Sequence, residues 1–269
     1  MEHQIIRHRL EPRHRSLTVK EKTRITPGMI RILFAGSDLE DFVSLAPDDH
    51  VKLFIPTQTG EVERRDYTPR RFDRAARTLA IDFAVHDAGP ATRWAIGAAL
   101  GDRLDIGGPR GSAVVSPTFD WWLMIGDETA LPAIGRRIEE MPDGTRVVSI
   151  VSVRAKVEEQ TFATGARHEA LWVHRPLDHA DDPASLLSTL QTISLPDGDG
   201  FVWIAAEARV ARALRDYVVK SCGHPLAWTK AAGYWRKGVA DATTSWKIEC
   251  STQAEAIFWA SSSTVSQHR

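Results

Sequence analysis

The sequence predicts a two-domain β + α/β fold, in which an N-terminal antiparallel six-stranded β-barrel is followed by an open parallel α/β sheet. Short apolar or alternating runs separated by turn residues fill roughly the first hundred positions, which is typical of an antiparallel barrel or sandwich. From about Trp121, apolar strands alternate with helical segments, and this alternation implies parallel strands with right-handed crossovers. The pattern changes near Ser116-Pro117-Thr118, so the predicted units are residues 1–117, residues 118–238 and a tail at 239–269.

The strands of the first predicted domain are short runs divided by turn residues. The runs are SLTVKEKTRI, MIRILFA, HVKLFIPT, RRDYTPR, TLAIDFAVH and GDRLDIG. Pro27-Gly28 and Gly60 separate some of these runs, as turn residues do. One helix interrupts the strands, because PATRWAIGAAL begins at Pro90, places Trp94 and several alanines on one face, and ends before Gly101.

The second predicted domain alternates strands with helices. The strands are WWLMIG, RVVSIVSV, ALWVH, GFVWIAAE and AWTKAAGYW, and the helices are TALPAIGRRIEEM, DPASLLSTLQTI and ARVARALRDYVVKSC. Beyond residue 238 the chain is mostly polar and small. We expect this tail to be disordered, apart from AEAIFWA, which fits a short helix.

Composition and charge indicate a soluble protein and exclude several functional classes. Of the 269 residues, 43% are hydrophobic and 26% are charged, which is ordinary for a globular protein. The net charge of −1 favours neither nucleic acid nor an anionic membrane. The basic N-terminus lacks an apolar segment, and no apolar run reaches the ~18 residues of a membrane span. We expect a cytoplasmic protein, and Cys222 and Cys250 fit no metal-ligand spacing.

The stretch RDYTPR combines cations with a phenol and a hydroxyl. In an extended strand, Arg65 and Tyr67 point to one side, and Thr68 and Arg70 point to the other. A tyrosine ring can face a planar heterocycle, a threonine can hydrogen-bond a heteroatom beside it, and arginines can bind a diphosphate with two hydrogen bonds each. These residues together suit a flavin dinucleotide. The same pattern also fits a solvated edge strand with outward arginines, in which Pro69 blocks pairing.

Three further stretches can lie near an anion or a nucleotide. Gly89-Pro90 opens a helix whose first amides can face an anion, although it also reads as an ordinary helix entry. GGPRGS at 107–112 is a flexible turn with one cation. GDETALPAI follows the first parallel strand, where ligands bind in open α/β sheets, and Thr129 is expected to cap the next helix. Asp127 and Glu128 would repel a pyrophosphate there, so this stretch does not require a dinucleotide.

Five motifs, taken together in their order along the chain, indicate a protein family more specifically than any one motif does. RDYTPR, HDAGPATRWA, GDRLDIGGPRGS, GDETALPAI and GYWRKG occur in sequence. Across residues 15–238 the chain closely resembles the siderophore-interacting family of flavin-containing ferric-siderophore reductases. The resemblance implies a barrel that holds FAD, a second domain like a pyridine-nucleotide module, and reduction of siderophore-bound Fe(III) to Fe(II). NADH, NADPH or a reduced ferredoxin would supply electrons, and we expect a monomer whose substrate is an anionic ferric chelate.

The resemblance also implies which residues form the site. The expected cofactor-binding residues are Arg65, Tyr67, Thr68, Arg70, His86, Ala91, Trp94, Arg110, Gly111, Ser112, Thr129 and Ala130. The expected substrate-binding residues are Lys52, Arg136 (or its neighbour Arg137), Arg236 and Lys237. Electron transfer to iron needs no side chain as an acid or base, so no catalytic side chain is nominated.

Each substrate-binding residue also has a structural interpretation. Lys52 can extend from a strand into solvent, Arg136 lies on a helix beside Glu139 and Glu140, and Arg236 can cap the last strand. Two other functions stay open on sequence grounds. One is a ferredoxin-reductase-like NAD(P)H oxidoreductase with another acceptor, and the other is a non-enzymatic protein that binds ferric chelates.

Overall fold

A computed structural model describes residues 3–57, 60–85, 89–239 and 244–246. Seven antiparallel strands form the N-terminal sheet, so the predicted barrel is present with seven strands rather than six. In chain order, a short strand β1 (Ile5–Arg9) is followed by β2 (His14–Thr26), β3 (Met29–Ala35), β4 (Val51–Pro56), β5 (Val62–Tyr67), β6 (Pro69–Asp73), β7 (Thr78–Ala84) and β8 (Arg103–Gly107). β1 pairs separately with β9 (Gly111–Val115).

The N-terminal sheet is curled, and its two edges meet at one residue. The strand order is β5-β4-β8-β2-β3-β7-β6, so β5 and β6 lie at opposite edges. Only Thr68 separates the end of β5 from the start of β6. Because one residue spans at most ~3.6 Å, the sheet must bend until these edges come together. The half-barrel encloses a core that includes Phe34, Leu53, Ile81 and Ile106, each fully buried.

The predicted helix after β7 closes one end of this half-barrel. It forms α1 (Pro90–Gly97), with proline in its first turn and Ala91 and Ala95 buried. The ring of Trp94 packs near those of Phe34 and Phe83, at centroid distances of 6.1 and 6.0 Å. This aromatic contact ties α1 to the barrel core, which fixes the direction of the helix.

Five parallel strands form the second sheet, as predicted. They are β10 (Trp121–Asp127), β11 (Arg146–Val153), β12 (Arg167–His174), β13 (Gly200–Glu207) and β14 (Thr229–Trp235), and β15 (Thr244–Trp246) adds to the edge in antiparallel orientation. The helices are α2 (Leu131–Glu140), α3 (Ala184–Thr192) and α4 (Ala208–Asp216). The order β12-β11-β10-β13-β14-β15 puts the carboxyl ends of the five parallel strands at one edge.

Both faces of the parallel sheet are covered, which explains its continuous apolar strands. Every residue of β10 and β13 is buried. Ile134 and Ile138 of α2 pack on one face, and Leu186 of α3 and Leu214 of α4 belong to the cluster on the other. The helix expected at AEAIFWA lies outside the described residues. Of the tail expected to be disordered, the structure describes Val239 and β15, and β15 is a strand, so the expectation was wrong there. None of the described helices has the length and hydropathy that crossing a bilayer requires.

Candidate functional site

A cavity of about 640 Å³ lies between the half-barrel and the carboxyl edge of the parallel sheet. The half-barrel contributes residues 65–68 and the start of α1 at 89–92. The opposite wall consists of Glu128, Thr129 and Pro132 with residues 234–237. The cavity therefore lies where the edges of the curled sheet meet and where ligands bind in open parallel sheets.

Tyr67 presents a partly buried aromatic ring at the junction of β5 and β6. Its ring centroid is 4.7 Å from that of Phe83 in the barrel core, so the ring is held from behind. Burial raises the pKa of the Tyr67 phenol above its ordinary value, although nearby Arg65 opposes this shift. The side chain is thus a neutral aromatic surface at any physiological pH, and buried Thr68 lies next to it.

The two charged neighbours of Tyr67 are already paired within the barrel. Arg65 forms a short ion pair with Glu63 and donates to the main-chain oxygen of Arg64 at 2.8 Å. Lys52 lies opposite Asp66 in the β4–β5 register, and its Nζ is 2.8 Å from Asp66 Oδ1. Asp66 lines the cavity, so Lys52 neutralises part of its wall from behind.

The start of α1 provides backbone donors toward the cavity. Gly89 is the N-cap residue and has no side chain to accept from the first helical amides. Residues 89–92 all line the cavity. Uncapped amides and the positive end of the helix dipole suit a phosphate group. The aromatic ring of Tyr67 suits the flavin ring, and the guanidinium of Arg65 with the uncapped start of α1 suits the diphosphate, so the residues present fit FAD.

Asp127 organises the opposite wall at the end of β10. Its Oδ1 accepts from the backbone N–H and hydroxyl of Thr129, at 2.9 and 2.5 Å. Its Oδ2 accepts from the N–H of Glu207 at 3.0 Å and from Nε1 of Trp235 at 2.9 Å. One carboxylate therefore joins the ends of β10, β13 and β14. Thr129 donates to Asp127 rather than capping α2, whose N-cap residue is Ala130.

Glu128 is a buried carboxyl group in the cavity wall. Burial and the neighbouring Asp127 raise the pKa of Glu128 to about 7, while Arg175 at 2.7 Å acts in the opposite direction. Because Glu128 is paired with Arg175 and partly protonated near neutral pH, it repels an anion less than its sequence position suggested. Glu207, at the end of β13, accepts from the N–H groups of Arg209 and Val210 and caps α4.

The structure brings part of the predicted set to the cavity. The predicted residues that line it are Arg65, Tyr67, Thr68, Ala91, Thr129, Arg236 and Lys237. The predicted residues that do not line it are Lys52, Arg70, Trp94, Arg110, Gly111, Ser112, Ala130 and Arg136. His86, also predicted, lies outside the described residues.

Residues 111 and 112 have structural contacts away from the cavity. Gly111 pairs with Arg9, and a Cβ there would lie 2.7 Å from the carbonyl oxygen of His8, so the strands approach too closely for a side chain. Ser112 donates to Asp49 at 2.6 Å and accepts from the N–H of Leu45 at 3.2 Å. Burial raises the pKa of Asp49, although hydrogen bonds from Ser112, Ser44 and the N–H of Ala46 oppose the shift.

Sequence reasoning missed several lining residues. Asp48, Asp82 and Asp178 line the cavity, as do Tyr234 and Trp235 of the motif GYWRKG, of which only the cations were predicted to bind a ligand. Asp48 forms a short ion pair with Lys230 and accepts from Nε1 of Trp203 at 3.2 Å. Burial alone would raise the pKa of Asp48, but Lys230 holds it below the ordinary value. The sequence holds one signal for this ion pair, which is that Lys230 lies close to the motif GYWRKG.

A half-barrel followed by a parallel α/β sheet, with a cavity between them, defines a flavoprotein reductase architecture. The same fold occurs in the cytochrome b5 reductase domain of Ulva prolifera nitrate reductase, which is 13% identical with a TM-score of 0.60 and covers 79% of this chain and 94% of that one. The model of the siderophore-interacting protein family matches residues 119–238, and that of the siderophore-interacting FAD-binding domain matches 18–64 and 61–113. The chain belongs to the siderophore-interacting protein family, as the sequence resemblance predicted.

Individual relatives agree with this assignment. The NADPH-dependent ferric-chelate reductase of Escherichia coli (strain K12) is 34% identical over 244 residues, covering 83% of this chain and 93% of the relative. The ferric vibriobactin reductase ViuB of Vibrio cholerae is 24% identical over 245 residues, covering 83% and 90%. The structure of a siderophore utilization protein from T. fusca is 37% identical with a TM-score of 0.82, and the match covers 90% of this chain and 98% of that one.

Proposed function

We propose that this protein is an FAD-dependent reductase that converts Fe(III) in ferric siderophores to Fe(II), so that the chelator releases iron for the cell. The observation that carries the proposal is the interdomain cavity. On one side it is lined by the ring of Tyr67, the guanidinium of Arg65 and the uncapped start of α1, all in the FAD-binding domain. On the other side it is lined by the carboxyl edge of the parallel sheet. Siderophore oxygen ligands suit the small, hard ferric ion and hold the ferrous ion much less tightly.

The residues of the half-barrel have distinct roles in this proposal. Tyr67 supports the ring of the cofactor, Thr68 contacts its polar edge, and Arg65 with the amides of α1 binds the diphosphate. FAD, when bound, would accept a hydride from a nicotinamide and pass single electrons to iron. Partly buried Tyr67 and buried Pro132 keep water from part of the cavity, and no side chain acts as an acid or base on the ferric chelate in this proposal.

Binding of an anionic chelate is assigned chiefly to Arg236. This exposed residue lines the cavity, and its guanidinium has no carboxylate partner within the part of the chain that the structure describes. Lys237 is held by Asp181 at 2.6 Å, and Lys52 by Asp66. Lys237 therefore lines the site from within an ion pair, whereas Lys52 neutralises Asp66 from behind the cavity wall. Arg136 is buried at the domain interface, which argues for a structural role instead.

Electrons reach the site from NADPH in this proposal, since the Escherichia coli relative is named an NADPH-dependent enzyme. A second cavity of about 650 Å³ adjoins the first through Arg236 and is also lined by Arg209 and Arg212. Arginines of this kind suit the phosphates of a dinucleotide. We further propose that residues 1–117 hold FAD, that residues 118–238 receive the donor, and that the protein is a cytoplasmic monomer, with NADH or reduced ferredoxin as the other donors to compare.

An anaerobic assay tests the function directly. The visible spectrum of the FAD-reconstituted protein is recorded, the flavin is photoreduced, and a ferric triscatecholate is added with a ferrous trap. We expect the flavin spectrum to recover as trapped ferrous ion appears. A flavin that is reduced but passes electrons to no ferric chelate would indicate an oxidoreductase with another acceptor. A protein that holds no flavin would contradict both enzymatic functions and leave a chelate-binding protein.

The charge of Arg236 provides a second test of the same proposal. Arg236→Ala is expected to weaken binding of the triscatecholate by about tenfold at low ionic strength, and by less in added salt, because salt screens an exposed charge. FAD content should not change. Arg71→Ala, which removes an exposed arginine of β6, is the matched control. Equal chelate affinities in both variants would remove Arg236 from the substrate site.

A further inference from the structure

Two arginines cross the domain interface in opposite directions. Arg70 of β6 donates through both terminal nitrogens to the carboxylate of Glu139 on α2, at 2.7 and 2.6 Å. Arg136 of α2 donates to the hydroxyl and the main-chain oxygen of Ser44, at 2.7 and 2.9 Å, and to the oxygen of Pro69 at 3.1 Å. Both arginines are almost completely buried. We call this pair the arginine clamp.

The arginine clamp has the chemistry of a rigid connection. Arg136 also donates through Nε to Glu140 at 2.7 Å, and its guanidinium lies 5.6 Å from the ring centroid of Phe72. The Nε of Arg70 lies 3.7 Å from the carboxylate of Asp82, which lines the cavity. Planar guanidinium groups with several directed hydrogen bonds hold one geometry, and removal of one partner leaves a buried charge uncompensated.

A glycine of α2 permits this close approach. A Cβ at Gly135 would lie 3.1 Å from Nη2 of Arg70 and 2.5 Å from Cε1 of Phe162. The absence of a side chain therefore lets the strand β6 arginine reach across the helix backbone. A larger residue at this position would collide chiefly with Phe162, which follows β11, and would also crowd the Arg70 guanidinium.

The same two elements carry the two walls of the cavity. Pro69, whose oxygen accepts from Arg136, directly follows Tyr67 and Thr68. α2 directly follows Glu128 and Thr129 in the opposite wall. A change in the distance between β6 and α2 is therefore a change in the width of the cavity.

We propose that Arg70 and Arg136 are positioning residues, which fix α2 against β6 and thereby set the separation of the two cavity walls. The proposal rests on the proposed function in one respect: transfer between a donor on the parallel sheet and a flavin on the barrel needs both walls at a defined distance. Relative motion of two domains is the usual behaviour unless an interface restrains it, and the arginine clamp is a restraint placed directly between β6 and α2. Neither arginine needs to touch the ligand to affect the reaction.

Charge-conserving variants test the clamp on the FAD-reconstituted protein. Arg70→Lys and Arg136→Lys keep the charges but lose the planar, multiply donating groups. Arg71→Lys changes the exposed neighbour on the same strand and is the matched control. Spin labels at positions 21 and 169, which are exposed and lie on β2 and β12, report the distance between the domains after both cysteines are replaced by serine.

We expect one narrow distance distribution for the wild-type protein and Arg71→Lys, and a distribution at least about twofold wider or shifted for the two clamp variants. FAD content should be unchanged, while the rate of flavin reduction at saturating NADPH falls by about tenfold or more, because misplacement of reacting groups lowers the rate without lowering binding. Equal distributions in all variants would overturn the clamp. A wider distribution without slower flavin reduction would overturn its role in positioning.

The distance measurement needs neither a donor nor a chelate, so it gives the same answer if the proposed function fails. Should a lysine variant fold poorly, Glu139→Gln is the second test, since it weakens the hold on Arg70 and leaves both arginines in place. We expect it to widen the distance distribution as Arg70→Lys does. A distribution identical to that of the wild-type protein would count against the proposal.

Discussion

Tyr67 and Thr68 take their position from the covalent chain as much as from their side chains. Thr68 alone joins the two edge strands, so the neighbouring Tyr67 must lie where the curled sheet closes. The ring rests against Phe83 and faces the cavity. An aromatic ring in this position offers area for stacking on the cofactor with little loss of side-chain entropy. The neutral hydroxyl contributes less to cofactor binding than the ring does.

Replacement of the Tyr67 ring should therefore matter more than loss of its hydroxyl. We expect Tyr67→Leu to weaken FAD binding by about fivefold to tenfold, and Tyr67→Phe to bind FAD nearly as the wild-type protein does. Arg65→Ala should also lower flavin occupancy, whereas Arg64→Ala, at the exposed neighbour, should not. Titration of FAD into the apoprotein measures all four affinities. Full affinity in both Tyr67→Leu and Arg65→Ala would show that RDYTPR does not hold the cofactor.

Glu128 predicts a specific dependence of stability on pH. Its pKa is raised from 4.5 to about 7 in the folded state, so between these values the folded protein binds more protons than the unfolded chain. Stability from this group is fully present below pH 4.5 and is lost as the pH rises toward 7. Well above pH 7 the stability that protonated Glu128 contributes is lost completely, and the free energy of unfolding no longer depends on this group's titration.

Comparison with Glu128→Gln isolates this effect. Relative to the wild-type protein, the free energy of unfolding of the variant should increase between pH 4.5 and 7.5, by up to about 3 kcal/mol. Denaturant unfolding at several pH values measures the difference, and Glu169→Gln, at an exposed carboxylate, is the control. A difference between wild type and Glu128→Gln that does not change with pH would mean that Glu128 titrates normally.

At the scale of elements, α1 shows a conflict between stability and binding. Gly89 leaves the first amides of the helix uncapped, although its φ of −69° and ψ of 148° would suit many residues. A Cβ there would meet only the hydroxyl of Thr92, at 4.0 Å. The helix therefore lacks a stabilising cap at the position where its amides face the cavity.

We expect Gly89→Asp to stabilise the apoprotein by about 1 kcal/mol, because a carboxylate accepts from the free amides. The same charge should lower FAD affinity by about tenfold, because it occupies and repels the diphosphate position. Gly89→Asn caps the helix without a charge and is the matched control. Thermal unfolding and FAD titration give the two quantities. Gains in both stability and FAD affinity would place the diphosphate elsewhere.

At the scale of the whole molecule, polar contacts far apart in sequence join the domains. Besides the arginine clamp, Oε2 of Glu158 accepts from the hydroxyl of Thr26 at 2.5 Å and from the N–H of Gly28 at 2.8 Å. Glu158 follows β11 of the parallel sheet, and the two donors lie at the end of β2 and in the turn that leads to β3. Asp48 and Lys230 form a third connection. Each contact satisfies polar groups that the interface buries.

Glu158→Ala should lower the free energy of unfolding by about 2 kcal/mol, because it leaves buried donors without an acceptor. The melting temperature should fall by about 5 °C on this basis. Its neighbour Glu159 pairs with His174 in a more exposed position, so Glu159→Ala should change stability by about 0.5 kcal/mol or less. Scanning calorimetry measures both variants. Similar losses in the two would mean that the Glu158 contact does not stabilise the interface.

The sequence by itself determined the order of the two domains, nearly all described strands and helices, and the family. These follow from hydrophobic periodicity and from motifs that are contiguous in the chain, both of which are local. The half-barrel has seven strands where the sequence predicts six, because the local pattern predicts a single strand for RRDYTPR. Thr68 instead divides it into two strands at opposite edges, a feature of pairing that no local pattern contains.

Only the tertiary structure decided what each predicted cation contacts. Arg65 lines the cavity, whereas Arg70, five residues on, reaches Glu139 across the interface, and Arg136 is buried against Ser44. Strand alternation states which side chains share a face, but not which element packs on that face. The partners of these arginines lie 69 and 92 positions away in the chain, so their contacts arise from packing of one domain against the other.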